Sequence, residues 1–200
     1  MAALVWVRHG VTEENQQKRY IGHYDAALSS AGHEQAKLLG IKLQDSRIDA
    51  IYTSDLLRAR QTAAHIAAFH PLVPLISLPD LRELSFGEWE AKTYEQIEEA
   101  DRDAIYRFYD NPWTCAPTGG ETLADMKARL DLFLQLVLQQ HRADETVVVV
   151  SHAGMIKLFS AVYIDHDPSR FFHYHVSHGQ TLVCSFNDIG RRWQTCESQI

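Results

Sequence analysis

Two short segments of this chain combine residue types that could bind and attack an anion. The first reads Arg8-His9-Gly10, and the second reads Ser-His-Ala-Gly around His152. A histidine can act as a nucleophile, an arginine keeps its positive charge, and a small residue lets the backbone approach a ligand closely. Either histidine alone could simply end a strand. Together, with an arginine beside one of them, they predict one shared pocket.

Apolar runs that predict strands stand directly before both segments. Strands are predicted at 4–7 and 146–150, where the second is an unbroken valine run typical of a strand covered on both faces. The remaining predicted strands are 48–52, 73–78 and 181–186, and the predicted helices are 31–44, 55–69, 121–140 and 153–162. This alternation is typical of an α/β fold. Because ligands bind beyond the carboxyl ends of the strands in such sheets, we expect both histidines to lie at that edge.

A third candidate anion ligand is Arg58 in the segment TSDLLRARQTA, where Ser54-Asp55 precedes the helical pattern. Ser54 is interpreted as the N-cap of the helix at 55–69, which puts Arg58 about one turn inside it. A cation near the positive end of a helix dipole is unfavourable unless an anion lies close by. A solvent-exposed arginine is the alternative, and it is sufficient for Arg60.

Composition and charge limit the class of protein. The chain has 200 residues, 46% of them hydrophobic, and no internal repeat or linker, which predicts one domain over 1–200. Residues 80–120 form a long aromatic-rich excursion, and such excursions usually cover a site. The net charge of −7 argues against a nucleic-acid partner. We expect a monomer or homodimer.

The expected location is the cytoplasm, without a membrane partner. The apolar stretch at the N-terminus is too short to span a membrane and lacks the features of a signal peptide. Three widely spaced cysteines, Cys115, Cys184 and Cys196, fit neither a disulfide framework nor a metal-binding motif. They are interpreted as reduced thiols.

Five motifs in order along the chain resemble those of the histidine phosphatase superfamily, the phosphoglycerate-mutase-like proteins: RHGVTEEN, SDLLRARQTA, LRELSFGEWE, PTGGET and VVVVSHAGM. The resemblance extends over residues 4–186. It implies a three-layer α/β/α sandwich with a mixed, mostly parallel central sheet. It also implies a small-molecule phosphate ester as the substrate, with a phosphate pocket formed by Arg8, His9, Asn15, Arg58 and His152. In this family pattern His9 is the nucleophile that becomes phosphorylated and Glu83 is the proton donor.

The chemistry of a phosphate monoester agrees with these residue types. Two arginine forks can bind the phosphate oxygens, and the histidine nucleophile must be neutral at its attacking nitrogen. The other nitrogen of His9 should therefore donate to a backbone carbonyl, for which Gly10 is nearest. His152, if protonated, adds a third positive donor. These groups supply the charge that metal ions provide in other phosphatases, so no metal and no other cofactor is expected.

The proton donor for the leaving alkoxide is less well determined by the residues alone. The same loop contains Glu88 and Glu90, and Glu13 and Glu14 follow the Arg-His-Gly turn. Only the resemblance assigns the role to Glu83. The same carboxylate would later take a proton from the water that attacks phosphohistidine.

Two other segments have alternative interpretations. Arg19, Tyr20, Gly22 and His23 could contact the part of the substrate beyond the phosphate, or could belong to a surface loop. The histidines at 173, 175 and 178 suggest a metal site, with the first two on one strand face, but no carboxylate or cysteine stands at ligand spacing beside them. The alternative is a loop that enters the strand at Gln180, with His178 near the rim of the pocket.

Within the superfamily, the segment LRELSFGEWEAKTYEQI decides between hydrolysis and transfer. Mutases resemble one another in a longer RHYGxLQG-type loop, which this chain lacks. The FGEWE form is similar to the phosphatase branch, and in particular to the α-ribazole phosphatases. A broad-specificity sugar or nucleotide phosphatase and a phosphoglycerate-mutase-type transferase are the alternatives.

Overall fold

The computed structural model describes residues 3–187 and 192–195, and its centre is a six-stranded sheet. The strands are β1 (Ala3–Arg8), β2 (Ala50–Ser54), β3 (Leu75–Leu78), β4 (Thr146–Ser151), β5 (Thr181–Asn187) and β6 (Arg192–Thr195). Their order across the sheet is β3-β2-β4-β1-β5-β6. The first four strands are parallel, β5 runs antiparallel to β1, and β6 runs antiparallel to β5. The predicted mixed, mostly parallel sheet is confirmed.

Helices cover both faces of this sheet. They are α1 (Glu13–Gln16), α2 (Ser30–Leu43), α3 (Leu57–Ala67), α4 (Tyr94–Ala100), α5 (Arg102–Asp110), α6 (Leu123–Gln140) and α7 (Ala153–Phe159). Side chains alternate along β1, so that Trp6 packs with residues of α6 and α7 on one face, while Val5 packs with residues of α2 and α3 on the other. Two apolar cores therefore hold the three layers together, as predicted.

The start of α3 differs from the prediction. Ser54 is the last residue of β2 and not an N-cap, because the strand continues two residues beyond the predicted end. The residue at the N-cap position is Leu56, which has no side-chain capping bond, and the carboxylate of Asp25 instead accepts from the Leu57 N–H at 2.6 Å. Arg58 is consequently the second residue of the helix, closer to its positive end than predicted.

Other element boundaries also differ. The predicted strand at 73–78 begins at Leu75, since Pro74 has no N–H for the strand ladder. The predicted helix at 153–162 leaves α-helical geometry after Phe159 and continues as a wider π-helical turn, Ser160–Ile164. Strand β6 and the short helices α1, α4 and α5 were not predicted.

Residues 80–120 pack closely on the sheet and its helices. The segment begins within the 3₁₀ turn Pro79–Leu81 and contains the 3₁₀ turn Gly87–Trp89, followed by α4 and α5. Buried side chains from this segment, Trp89, Ile97, Ile105 and Phe108 among them, belong to the same apolar core as Trp6. The excursion is therefore held in one position relative to the ends of the strands.

The histidine-rich segment before β5 is not a strand. The 3₁₀ turn Pro168–His173 and an irregular stretch take its place, so the prediction that His173 and His175 share a strand face is wrong. Pro168 at the first turn favours a helical start over an extended one. Within residues 3–187 and 192–195, no cluster of three or more histidine, cysteine, aspartate or glutamate side chains is arranged to hold a metal ion.

Two further expectations from the sequence are that the cysteines are reduced thiols and that the protein has no membrane partner. Cys115 carries a free thiol, Cys184 is buried in β5, and Cys196 lies outside the described residues. Among the helices that the structure describes, none combines the length and the apolar character that crossing a bilayer requires.

Candidate active site

The pairing of β1 with β4 brings the two histidine segments together. The strands are parallel and Arg8 lies opposite Ser151, so His9 and His152 leave the sheet side by side at the same edge. Their ring centroids are 5.0 Å apart, and both side chains are buried, with exposures of 3% and 0%. The two histidine rings are thus in contact at the place where the sequence predicts one shared pocket.

His9 is held in the form that a nucleophile requires. Its Nδ1 lies 2.6 Å from the carbonyl oxygen of Gly10. Because a carbonyl can only accept, Nδ1 carries the proton and Nε2 keeps its lone pair. Burial, assisted by the positive charges of Arg58 and Arg8, lowers the pKa of His9 well below the usual histidine range. The ring is therefore neutral at pH 7, and its free nitrogen can attack.

Arg58 is fully buried in the first turn of α3, which excludes the solvent-exposed alternative. Its terminal nitrogens donate to the carbonyls of Gly22 at 2.7 Å, Tyr24 at 2.8 Å and Ile21 at 3.2 Å. Its Nε has no partner among the described residues. Burial lowers the pKa of Arg58 to about 10, so the guanidinium remains charged at pH 7. Arg58 therefore holds the loop before α2 in place, and its Nε remains unpaired among the residues that the structure describes.

Arg8 and His152 also retain unpaired polar atoms. Arg8 donates from Nη1 to the Val176 carbonyl at 2.5 Å, whereas its Nε and both ring nitrogens of His152 have no partner within the described part of the chain. Burial, then Arg58, His9 and Arg8, lower the pKa of His152 well below the usual histidine range. The His152 ring is therefore neutral in this structure, whereas the third positive donor considered from the sequence is a protonated ring. A phosphate dianion beside it would favour protonation, since an opposite charge stabilises the charged form.

His178 extends this cluster. Its ring lies 5.6 Å from that of His9, and its Nε2 lies 3.0 Å from the side-chain oxygen of Asn15, which also accepts from the Thr12 N–H at the start of α1. Burial and the charge of Arg8 lower the pKa of His178 to about 4. The expected phosphate ligand Asn15 is thus fixed by a neutral third histidine. One alternative from the sequence has His178 near the rim of the pocket, which agrees with this position, whereas its contact with Asn15 was not predicted.

Glu83 reaches the same edge of the sheet from the excursion. Its two carboxylate oxygens accept from the backbone N–H groups of Leu84 and Gly154, each at 2.9 Å. A Cβ atom at position 154 would lie 2.1 Å from Glu83 Oε1, so any other residue there would displace the carboxylate from this position. The buried side chains of Leu81 and Leu84 anchor the backbone on either side.

The rival carboxylates are placed differently. Glu88 and Glu13 are exposed and Glu14 is partly exposed. The carboxylate of Glu90 connects two loops, because it accepts from the backbone N–H groups of Gly22, His23, Phe86 and Tyr24 at 2.8, 2.8, 3.0 and 3.1 Å. Of the acids considered, Glu83 is the one whose carboxylate is hydrogen-bonded to the start of the helix after His152, and the geometry therefore favours it.

Two adjoining cavities open beside Glu83. The larger, of about 480 Å³, is also lined by Asn15, Arg19 and Tyr20, and the smaller, of about 180 Å³, also by Lys157. Seven aromatic rings contribute to the walls: Tyr20, Phe86 and Tyr109 border both cavities, Tyr94 borders the larger, and Phe108, Phe171 and Phe172 border the smaller. The walls beside Glu83 therefore combine aromatic rings with charged side chains, among them Arg19 and Lys157.

The predicted substrate-contact residues separate into two pairs. Arg19 and Tyr20 border the larger cavity, where Arg19 donates to the Ala91 carbonyl at 2.5 Å. Gly22 and His23 are outside the lining of both cavities. Their backbone is held by Glu90 and Arg58, and the His23 Nε2 lies 3.8 Å from a carboxylate oxygen of Glu121. These two residues shape the loop next to the pocket.

Comparison with known proteins now identifies the family. The family model described as "Histidine phosphatase superfamily (branch 1)" matches residues 4–199. The chain belongs to the histidine phosphatase superfamily. Its similarity to the adenosylcobalamin/alpha-ribazole phosphatase of Escherichia coli is 31% identity over 94% of this chain and 91% of that protein.

Two other phosphatases are similar to this chain, one in sequence and one in structure. Phosphoserine phosphatase 1 of Hydrogenobacter thermophilus is 34% identical over 86% of this chain and 81% of its own. The crystal structure of the alpha-ribazole phosphatase from Shigella flexneri superposes with a TM-score of 0.87 at 26% identity, covering 97% and 94% of the two chains. The chain is a phosphatase.

Proposed function

We propose that this histidine phosphatase is a phosphomonoesterase that hydrolyses a small phosphorylated metabolite through a phosphohistidine at His9. The observation that carries the proposal is the hydrogen bond from His9 Nδ1 to the Gly10 carbonyl, which leaves Nε2 free beside a second buried histidine. Arg8, Arg58, Asn15 and His152 bind the phosphoryl oxygens. Unpaired nitrogens on three of them, Arg8, Arg58 and His152, support this role.

The reaction proceeds in two steps, and the carboxyl group of Glu83 takes part in both. His9 attacks phosphorus while Glu83 gives a proton to the departing alkoxide. The resulting carboxylate then takes a proton from water, which attacks phosphohistidine and releases inorganic phosphate. The arginine and histidine donors stabilise the charge on the equatorial oxygens of each transition state. The position of Glu83 in the lining of both cavities supports this double use.

For the substrate we propose α-ribazole 5′-phosphate. Two proteins named for alpha-ribazole support it, as does the aromatic wall beside Glu83, because aromatic rings stack favourably on a flat, apolar base. Residues 80–120, within a single domain of 1–200, cover the leaving-group side of the site. We place the protein in the cytoplasm as a monomer or homodimer, with no nucleic-acid or membrane partner.

The proposed function predicts release of phosphate rather than its transfer. With 3-phosphoglycerate, the protein should liberate inorganic phosphate steadily and should not interconvert 3- and 2-phosphoglycerate, because the chain lacks the longer loop that the mutases share. Phosphate release and the ratio of the two phosphoglycerates would be measured together. In the same assay, kcat/KM for α-ribazole 5′-phosphate should exceed that for phosphoserine by about tenfold or more, since each aromatic contact contributes about 0.5–1.5 kcal/mol.

A His9→Ala preparation is the control for contaminating phosphatases. Efficient interconversion of the phosphoglycerates with negligible phosphate release would overturn hydrolysis in favour of the mutase alternative. Equal kcat/KM values for phosphoserine and α-ribazole 5′-phosphate would leave the phosphatase activity in place but contradict the proposed substrate.

A second prediction concerns metal ions. Turnover should survive dialysis against EDTA, because two arginines, and His152 once the bound phosphate favours its protonation, supply the positive charge around the phosphoryl group. Phosphate release would be measured before and after chelation, and after adding Mg²⁺ or Zn²⁺ back. Loss of activity in EDTA with recovery on addition of either ion would contradict this mechanism, and His173 and His175 would be the first residues to test as ligands.

A further inference from the structure

An ion pair lies directly behind the segment that carries Glu83. Arg129 of α6 donates from Nε and Nη2 to the two carboxylate oxygens of Glu121 at 2.9 and 2.8 Å. Both side chains are largely buried, at 18% and 21% exposure. Burial raises the pKa of Glu121, but hydrogen bonds from Arg129 and the Ser85 N–H outweigh it, so the pKa is lowered overall. Such a two-bond pair holds a fixed geometry that a surface ion pair lacks.

The remaining donors of Arg129 all bind the backbone of this segment. Nη1 donates to the carbonyls of Asp80 at 2.9 Å and Arg82 at 3.1 Å, and Nη2 donates to the carbonyl of Glu83 itself at 3.3 Å. Glu121 completes the arrangement by accepting from the Ser85 N–H at 3.0 Å. The ion pair therefore binds the chain immediately before and after the proposed acid.

We propose that Arg129 and Glu121 form a positioning pair that fixes the carboxyl group of Glu83 for proton transfer. The inference rests on the proposed role of Glu83. Beyond the turn that ends at Leu81, residues 82–86 have no regular secondary structure, so backbone hydrogen bonds from helix or strand do not hold them. A planar guanidinium can reach three carbonyls and a carboxylate at once, which a lysine ammonium cannot do in the same plane.

The test measures phosphorylation of His9 in single turnovers with two radiolabelled esters. Arg129→Gln should slow labelling by an alkyl monoester about 10- to 100-fold, because a misplacement of about 1 Å can cost about 10²-fold. Labelling by p-nitrophenyl phosphate, whose leaving group needs little protonation, should slow by about threefold at most. Glu121→Gln, which removes the charge while preserving the side-chain shape, should show the same selectivity if Arg129→Gln does not fold.

The matched control is Lys127→Gln. Lys127 lies on the same helix as Arg129 and makes a two-bond pair with Asp131, at 3.2 and 2.8 Å, away from the segment that carries Glu83. It should change labelling by less than about threefold with either ester, as expected for a pair that acts on stability alone. Thermal unfolding by circular dichroism would show that each variant is folded at the assay temperature.

A double-variant cycle separates positioning from general structural support. If Arg129 acts through Glu83, Arg129→Gln should add less than about threefold to the loss already caused by Glu83→Gln with the alkyl ester. If the losses of the two single variants multiply in the double variant, the positioning role is overturned while the proposed acid remains intact. Equal slowing of both esters by Arg129→Gln would have the same consequence. If Glu83→Gln itself shows no selectivity for the alkyl ester, the proposed acid fails and the positioning role fails with it.

Discussion

His9→Ala is expected to abolish phosphoenzyme formation and to reduce kcat by about 10⁴-fold or more, since covalent catalysis loses its nucleophile. Wild-type protein mixed with a radiolabelled monoester and quenched in alkali, where phosphohistidine survives, should carry label on the peptide that contains His9. The hydrogen bond to Gly10 and the lowered pKa of the ring are the physical reasons for this assignment.

His152→Ala is the matched control for this experiment. His152 is buried 5.0 Å from His9 but has no hydrogen bond to a described residue that would orient either nitrogen for attack. This variant should label more slowly but still on His9. Label found on His152 in the wild-type protein would show that the nucleophile is wrongly assigned, but it would not contradict a phosphate pocket shared by the two histidines.

Glu83→Gln is expected to slow the first step by about 10²–10⁴-fold when the leaving group is an alkoxide, which is the usual contribution of a general acid. The glutamine keeps one oxygen, which can accept from the Leu84 or the Gly154 N–H group but not from both, and it cannot donate an acidic proton. With p-nitrophenyl phosphate the same step should change little, because nitrophenolate leaves as a stable anion. Single-turnover labelling of His9 measures this step without the later attack of water.

Glu88→Gln provides the control for Glu83, since Glu88 is exposed in the same loop. It should leave labelling by both esters unchanged. Equal slowing of both esters in Glu83→Gln would mean that Glu83 positions the phosphate and that another carboxyl group donates the proton. Glu90 is a poor control because four backbone N–H groups depend on its carboxylate, so its replacement would disturb both loops.

The strands and the principal helices were largely predictable because apolar periodicity is a local property of the chain. The valine run at 146–150 and the run before Arg8 predicted buried strands, and the structure pairs them as β4 and β1. Short polar-rich elements such as α4 and α5 were missed, since their stability comes from burying residues such as Ile105 and Phe108 in the common core.

The residue types of the site could also be recognised in the sequence. The Arg-His-Gly and Ser-His-Ala-Gly segments each follow an apolar run, and the five motifs in order identified the superfamily before any contact was known. The requirement for a neutral His9 bonded to the Gly10 carbonyl followed from chemistry alone, and the structure has this bond.

The tertiary structure decided how distant parts of the chain hold these groups. Residues 21–24 bind Arg58 through their carbonyls and Glu90 through their N–H groups, and the ion pair of Arg129 with Glu121 holds the backbone beside Glu83. A sequence specifies which groups can donate and accept, but many carbonyls compete for each donor. Only folding, which brings together segments tens of residues apart, determines which of those pairs form and which polar atoms remain for a ligand.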